Sequence, residues 1–273
     1  MWRSSDGRAR FDAACGLSRG ARAVQEDAVA VDVAHGSETG FAVLSDGMGG
    51  HVAGATASHL VVAEAFGDLK FHAPGIAARP AIAPACLGRA ADAANDALAR
   101  QVSTDAAMRG MGATLLAVVL AGDRLHWLSV GDSTLHLLRG GALRRLNADH
   151  SMAPRIDRMA EAGQITREAA ARHPDRSALT SVVMGRPIPA RDAPTEGMAL
   201  RDGDVVLLAS DGLANLGEAC VARLLHRGRR GRAGSMVDAL LDATARLGDP
   251  DQDNLSVVVI RVLRAAPVPE GGA

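Results

Sequence analysis

The sequence contains no tyrosine, and aromatic residues make up only 2% of it. That leaves little to stack on bases or sugar rings, which excludes stacking as a main mode of recognition. Cysteine is scarce: Cys15, Cys86 and Cys220 form an odd set without C-x-x-C spacing. Neither a disulfide framework nor a zinc site is indicated. No charge of one sign dominates. The formal net charge is −1, whereas a general nucleic-acid binder shows a basic excess. The one basic run, His226-Arg-Gly-Arg-Arg-Gly-Arg232, falls between two helical patterns and reads as a solvated loop. The longest apolar run, residues 113–121, is far too short to cross a bilayer. The first residues carry no apolar segment of a secretory signal, and Asp6-Gly7 reads as a turn in a polar leader. The expectation is a reduced, cytoplasmic protein that binds neither membrane nor nucleic acid.

What is present is a large core. The 273 residues are 48% hydrophobic and 22% charged, which excludes global disorder. No long linker interrupts them. One domain is expected over residues 1–264, with a frayed Pro/Gly/Ala-rich tail over residues 265–273.

Acidic residues punctuate four apolar runs. Phe41-Ala-Val-Leu-Ser-Asp46-Gly47 is one, Leu128-Ser-Val-Gly-Asp132-Ser133 a second, and Val205-Val-Leu-Leu-Ala-Ser-Asp211-Gly212 a third. In the fourth, Asp253-Asn254 comes first and residues 255–262 follow. Runs of this length read as buried strands. In an antiparallel pair the end of one strand lies beside the start of its neighbour. Three carboxylates at strand ends and one at a strand start can therefore meet at one edge of a sheet. Asp-Gly is also a common turn signal, and Asp202-Gly203 reads as a hairpin turn. Asp46 and Asp211 stand apart because both lie in Ser-Asp-Gly after an apolar run, about 165 residues apart. Clustered carboxylates repel unless a cation joins them, and hard oxygen ligands suit Mg²⁺ or Mn²⁺.

The periodicity predicts strands over residues 11–17, 28–34 and 41–45, then helices over 52–66 and 80–102. A four-stranded meander over residues 113–146 follows, with turns at Gly122-Asp123, Gly131-Asp132 and Gly140-Gly141. Two short helices, a hairpin over residues 198–209, two further helices and a last strand over 255–262 complete the chain. This is a segregated α+β pattern with too many strands for one flat sheet. Two packed antiparallel sheets with helices outside, a four-layer αββα sandwich, fit it.

Arg22-Ala-Val-Gln-Glu26-Asp27 precedes a predicted strand. By itself it is a polar loop with an internal ion pair. Beside an acid cluster, Arg22 becomes a phosphate clamp, and Glu26 and Asp27 become carboxylates that hold metal-bound waters.

These pieces, with Gly110-Met-Gly-Ala-Thr114, Asp149-His150, Leu179-Thr-Ser181 and Gln252-Asp-Asn254, run in a recognisable order. The chain resembles the metal-dependent serine/threonine protein phosphatases of the 2C type, in their compact bacterial form. The resemblance implies a central β-sandwich and a binuclear centre of two Mn²⁺ or Mg²⁺ ions, with a third, weaker metal in bacterial relatives. It implies that Asp46 bridges the two ions, that the Gly47 carbonyl binds one, and that Asp211 and Asp253 bind the other. Glu26 and Asp27 would act through water, Asp132 would help bind the third ion, and Asn254 would orient Asp253. Residues 149–187 match a variable flap that touches protein substrates. A metal-bridging hydroxide would attack phosphorus in line, with Arg22 offsetting charge on the equatorial oxygens.

The implied activity is hydrolysis of phosphoserine and phosphothreonine in proteins, with a bacterial Ser/Thr kinase and its substrates as partners, by a monomer. Alternatives of the same fold are a regulatory phosphoprotein-binding pseudophosphatase and a sigma-factor-control phosphatase. The sequence departs from relatives at several places. Met48 stands where animal relatives have His, although bacterial relatives share the Met. Gln25, Ala55, Thr134 and Ser181 replace the more usual Asn, Glu, Arg and Arg. His51 reads as capping or packing, and Asp149-His150 as a structural anchor of the flap.

Overall fold

The structure, a computed structural model, describes residues 9–264. The tail over 265–273, the Asp6-Gly7 turn and the side chain of His51 lie outside what is described. The chain begins with strands β1 (Ala9–Ser18), β2 (Asp27–Asp32) and β3 (Thr39–Met48), then helices α1 (His51–Ala78) and α2 (Ala83–Thr104). Next come β4 (Gly112–Ala113), β5 (Leu115–Ala121), β6 (Arg124–Val130), β7 (Thr134–Arg139) and β8 (Ala142–Arg145). Helices α3 (Ala153–Glu161) and α4 (Arg167–Ala171), strands β9 (Met198–Ala199) and β10 (Val205–Ala209), helices α5 (Glu218–Gly228) and α6 (Ala233–Ala245), and β11 (Leu255–Arg264) complete it.

The strands form two antiparallel sheets. One has the order β1-β11-β10-β7-β8, the other β2-β3-β5-β6-β9, with β4 paired to β3. Side-chain alternation explains why these strands read as continuous apolar runs. In β11, Val258, Ile260 and Val262 enter the core between the sheets, while Leu255, Val257 and Val259 meet α5 and α6. In β5, Leu116, Val118 and Leu120 face the middle core, while Leu115, Ala117 and Val119 meet α1 and α2. A strand covered on both faces has no polar side to show. The expected four-layer αββα sandwich is therefore the fold.

Three expectations are corrected. The meander over residues 113–146 is split: β5 and β6 belong to one sheet, β7 and β8 to the other. The link Gly131-Asp132-Ser133 carries the chain across. Gly131 adopts φ +103 there and lies against the Thr114 side chain, which leaves no room for a Cβ. The hairpin over residues 198–209 is likewise two strands in opposite sheets. β9 pairs with β6 and β10 pairs with β7. Helix α1 continues past residue 66 through Pro74 to Ala78. Leu69 and Ile76 prolong its buried stripe, so packing overrides the local breaking signals of Gly67 and Pro74.

β1 and β11 pair along their whole length, from Ala9 opposite Arg264 to Ser18 opposite Leu255. Asp12 on β1 is 7% exposed and joins three elements. Its Oδ2 accepts from the Ala233 N–H at the start of α6 (2.9 Å) and from Arg261 on β11 (3.2 Å), and Oδ1 meets His35 Nδ1 at 3.2 Å. Burial alone would raise its pKa, but the Ala233 N–H, His35 and Arg261 together outweigh burial and hold the carboxyl below its usual range. A depressed folded pKa stabilises above the unfolded value of about 3.9, and that stabilisation is lost as pH falls through the folded value. Asp12→Ala is expected to lower unfolding free energy by about 2–4 kcal/mol near neutrality in urea titrations. The gap to the parent should close below about pH 4; a gap that persists there would show that packing, not the carboxylate, is responsible.

Candidate functional site

Strand parity aims the acids inward. On β3, Ala42 and Leu44 enter the middle core, so Asp46 shares their face. On β2, Val29 and Val31 do the same, so Asp27 shares theirs. The register sets Asp27 directly opposite Asp46. From the other sheet, β10 ends just before Ser210-Asp211 and β11 starts just after Asp253-Asn254. The pair is closed by the Ser210 N–H donating to the Ser256 carbonyl at 3.0 Å. Asp132 arrives on the link between sheets. The acids therefore meet at one end of the sandwich, two elements from each sheet, rather than along one edge of a single sheet.

Crowding shifts their protonation. Burial raises Asp27 to about 6, opposed by the Ser210 hydroxyl and reinforced by Asp211 and Asp253. Burial, then Asp27 and Asp211, push Asp46 well above the usual carboxylate range. Asp132 rises to about 7 through burial and Asp211. Asp211 is raised by burial and Asp253, with relief from Arg22 and from a hydrogen bond with the Asp46 carboxyl. Its Oδ1 is buried without a hydrogen-bond partner.

A hydroxyl network holds the acids in place. Ser210 Oγ donates to Asp27 Oδ2 at 2.8 Å and accepts from the Ser256 N–H at 2.9 Å, tying the two sheets together. Thr114 Oγ1 accepts from the Asp46 N–H at 2.9 Å, and its own N–H donates to the Asp46 carbonyl at 2.8 Å. Ser133 Oγ lies 2.9 Å from Thr114 Oγ1 and so ties Asp132's link to Asp46's strand. Sequence reasoning assigned no role to Thr114, Ser133, Ser210 or Ser256. The available signal was a hydroxyl on the inward parity of a strand otherwise filled with Val and Leu.

Glycine makes the closest approaches possible. A side chain on Gly47 would strike the Gly54 carbonyl, and one on Gly54 would strike Glu26 Oε2. The Gly47 N–H donates to the Glu26 carbonyl at 3.1 Å. Asn254 touches Asp253 through its backbone and the preceding loop through its side chain. Its amide accepts from the Glu26 N–H (2.6 Å) and donates to the carbonyls of Arg19 (2.8 Å) and Val24 (3.1 Å). Its backbone N–H, not its amide, meets Asp253 Oδ1 at 2.7 Å. Arg22 donates to Asp253 Oδ2 at 2.5 Å. His150 takes the structural part expected of it: its N–H donates to the Gly131 carbonyl at 3.0 Å, and its carbonyl accepts from the Thr180 N–H at 2.7 Å.

The donor set fits a hard divalent cation. Asp27, Asp46, Asp132, Asp211 and Asp253 supply only oxygen, and Arg22 is the cation paired with them. Among the described residues no three side chains close on one point as a ready cage. Arg22 draws Asp253 aside, and Asp46 is turned onto Asp211. The orphaned Asp211 oxygen and the upward shifts are what a set of ligands lacking positive charge displays.

Residues 18–242 match the family model described as Protein phosphatase 2C, and the chain belongs to that family. It is 36% identical over 221 residues to the serine/threonine protein phosphatase PstP of Mycobacterium tuberculosis, covering 81% of this chain and 40% of PstP. This chain thus spans less than half the length of that relative. Protein phosphatase PhpP of Streptococcus pneumoniae is 31% identical over 177 residues, covering 64% of this chain and 67% of PhpP. A crystal structure of the PstP catalytic domain in complex with two manganese ions superposes with a TM-score of 0.75. The identity there is 31%, covering 93% of this chain and 99% of that one.

A carboxyl whose folded pKa is raised stabilises only below its unfolded value, and that stability is lost as pH rises through the folded value. In chelator, the melting temperature should therefore fall as pH rises through the window of about 4 to 7. Asp211→Asn is expected to raise the melting temperature in EDTA at pH 8 and to blunt the rise that Mn²⁺ gives the parent. A variant no more stable than its parent in EDTA would remove repulsion as the explanation.

Proposed function

We propose that this chain is a metal-dependent phosphatase of phosphoserine and phosphothreonine in proteins. The observation that carries the reading is the convergence of Asp46, Asp211 and Asp253 from facing sheets beside Arg22. An open cavity of about 300 Å³ lies there, lined by Arg22, Glu26, Asp46, Gly47, Met48 and Asp253 among others. In this reading Asp46 joins two Mn²⁺ or Mg²⁺ ions, with the Gly47 carbonyl on one and Asp211 and Asp253 on the other. Glu26 and Asp27 would act through water, and Asp132 would help hold a third, weaker ion. When bound, such ions supply a water acidified towards neutrality and a positive field over the phosphoryl oxygens.

The chain's own groups account for the rest. Among the described residues no Ser, Thr, Cys or His lines the cavity, and its carboxylates are taken up as metal ligands in this reading, which leaves water as the acceptor of the phosphoryl group. The exposed guanidinium of Arg22 stands at the mouth, held by Asp253, where it can receive phosphate oxygens in bidentate fashion. The two hydroxyl-anchored strands keep Asp46 and Asp27 from moving apart under their repulsion. Met48 cannot donate a proton, so it is not the acid that protonates the departing alkoxide.

The same reading makes residues 1–264 one catalytic domain with a flap over 149–187. It acts as a monomer in the cytoplasm against the products of a bacterial Ser/Thr kinase. Among the described residues no helix is long and apolar enough to cross a membrane. The family membership and the oxygen-only donor set favour this reading over a non-catalytic phosphoprotein binder, since the core acids matched by the family's pattern are all present in the chain.

The test is phosphate release from a phosphothreonine peptide. Mn²⁺ should support it, and EDTA and Asp211→Asn should each abolish it. Arg22→Ala should lower kcat/KM by about 100- to 1,000-fold, the usual scale for one charge-stabilising donor. Folded, metal-loaded protein that releases no phosphate with either Mn²⁺ or Mg²⁺ would overturn the proposal.

A further inference from the structure

The helix layer over the β1-β11-β10-β7-β8 sheet is incomplete. Helices α5 and α6 cover its centre through Val221, Leu225, Met236 and Leu240. At the carboxylate end of β7 and β8 a cavity of about 450 Å³ opens between the sheet's outer face and its covering elements. His136 and Leu143 form its floor, Leu213 and Val221 one wall, and Arg176 from the flap its other side. Asp211 borders it, so the cavity reaches the same carboxylate cluster, and Arg22 lines only the other cavity.

The chemistry of the lining narrows what it can hold. Two arginines border it, but neither has charge to spare. Arg176 is bidentate on Asp157 at 2.6 and 3.0 Å. Arg145 is held by Asp149 and by the Asp132 carbonyl, both at 3.1 Å. Glu218 at the rim adds a negative charge. An anion is therefore not the fitting occupant. His136 is 7% exposed, and its Nδ1 is buried without a hydrogen-bond partner. Burial, helped by Arg145, pushes its pKa down to about 4, so the ring is neutral under physiological conditions. A neutral imidazole among Leu143, Leu213 and Val221 makes a mostly apolar surface with room for a large aliphatic side chain.

We propose that this cavity is a substrate-recognition subsite that receives an uncharged, apolar side chain, such as leucine or methionine, close to the phosphorylated residue. It rests on the phosphatase reading and deepens it. Because Asp211 is shared between cavity and cluster, the residue concerned lies within a few positions of the phosphate, each extended residue spanning about 3.5 Å. A small ester such as para-nitrophenyl phosphate is too short to use the subsite. The neighbouring flap residue Arg176 gives the segment over 149–187 a hand in peptide choice without a part in the chemistry.

The experiment compares para-nitrophenyl phosphate with phosphothreonine peptides in which one leucine is moved through the flanking positions of a glycine and serine background. One position is expected where leucine raises kcat/KM over glycine by about tenfold or more, the usual scale for filling an apolar pocket. Glutamate at that position should remove the gain. Leu143→Trp and Ala214→Phe narrow the cavity from a half-buried and an exposed position, and neither residue belongs to the carboxylate cluster. Each should erase the leucine preference and leave para-nitrophenyl phosphate hydrolysis unchanged. If Leu143→Trp fails to fold, Ala214→Phe carries the comparison alone. Turnover of the small ester with no preferred flanking position, or a preference that survives in a folded variant, would overturn the subsite alone. No turnover of either substrate by the metal-loaded parent would overturn the phosphatase reading and the subsite with it.

Discussion

Asp27 and Asp46 face each other on paired strands, the first buried and the second half-buried, with like charge, and Asp211 and Asp253 approach them from the facing sheet. Like charges directly opposite in an antiparallel pair are destabilising, and burial multiplies the effect. The surrounding structure reads as a response to that repulsion. Ser210 grips Asp27 from across the sandwich, and Thr114 holds the Asp46 backbone on both its N–H and its carbonyl. Arg22 bonds Asp253, and Asn254 pins the loop that carries Arg22 and Glu26. Fold stability is spent holding charges where folding alone would not put them. That is the mark of a site kept for chemistry.

Much of this was legible in the sequence, for definite reasons. Residues 115–121 and 255–262 are apolar on both parities because helices cover one face and a second sheet the other, so they announce themselves as central strands. Ser-Asp-Gly at the ends of such runs marked Asp46 and Asp211 by repetition alone. What stayed hidden was the choice of partner strand. Nothing local in Gly131-Asp132-Ser133 distinguishes a hairpin from a crossover between sheets, and the same holds for residues 200–204. Strand pairing is decided by contacts far apart in sequence, which short-range patterns do not encode. Helix α1 outran its expected end for a related reason: Leu69 and Ile76 are buried against the other layers, and that burial outweighs Gly67 and Pro74. The hydroxyls of Thr114 and Ser133 were visible as residues, but their meeting follows only from the crossover.

Dividing the acids between two sheets ties geometry to packing. Asp46 and Asp132 follow the sheet built on β3, β5 and β6, whereas Asp211 and Asp253 follow β10 and β11. The distances among them are set by how Leu44, Leu116, Leu208 and Val258 interdigitate in the middle core. Close-packed cores move in discrete steps rather than by smooth sliding. A core substitution that repacks this layer therefore acts on the acids as directly as a substitution beside them. The cavity bordered by His136 lies on the outer face of one sheet, and it touches the cluster through Ser210 and Asp211.

The pairing of Ala9 with Arg264 has a topological meaning. The described backbone is almost a ring with a single gap, and that gap lies about 30 Å along β11 from the acids. Bridging the old ends with a short linker and opening the exposed Gly140-Gly141 turn instead would preserve every strand pairing. The order in which the acids occur along the polypeptide would change, while the place where they meet would not. Chain order and the geometry of the acid cluster are thus separable in this architecture, and a reshuffled polypeptide can present the same cluster.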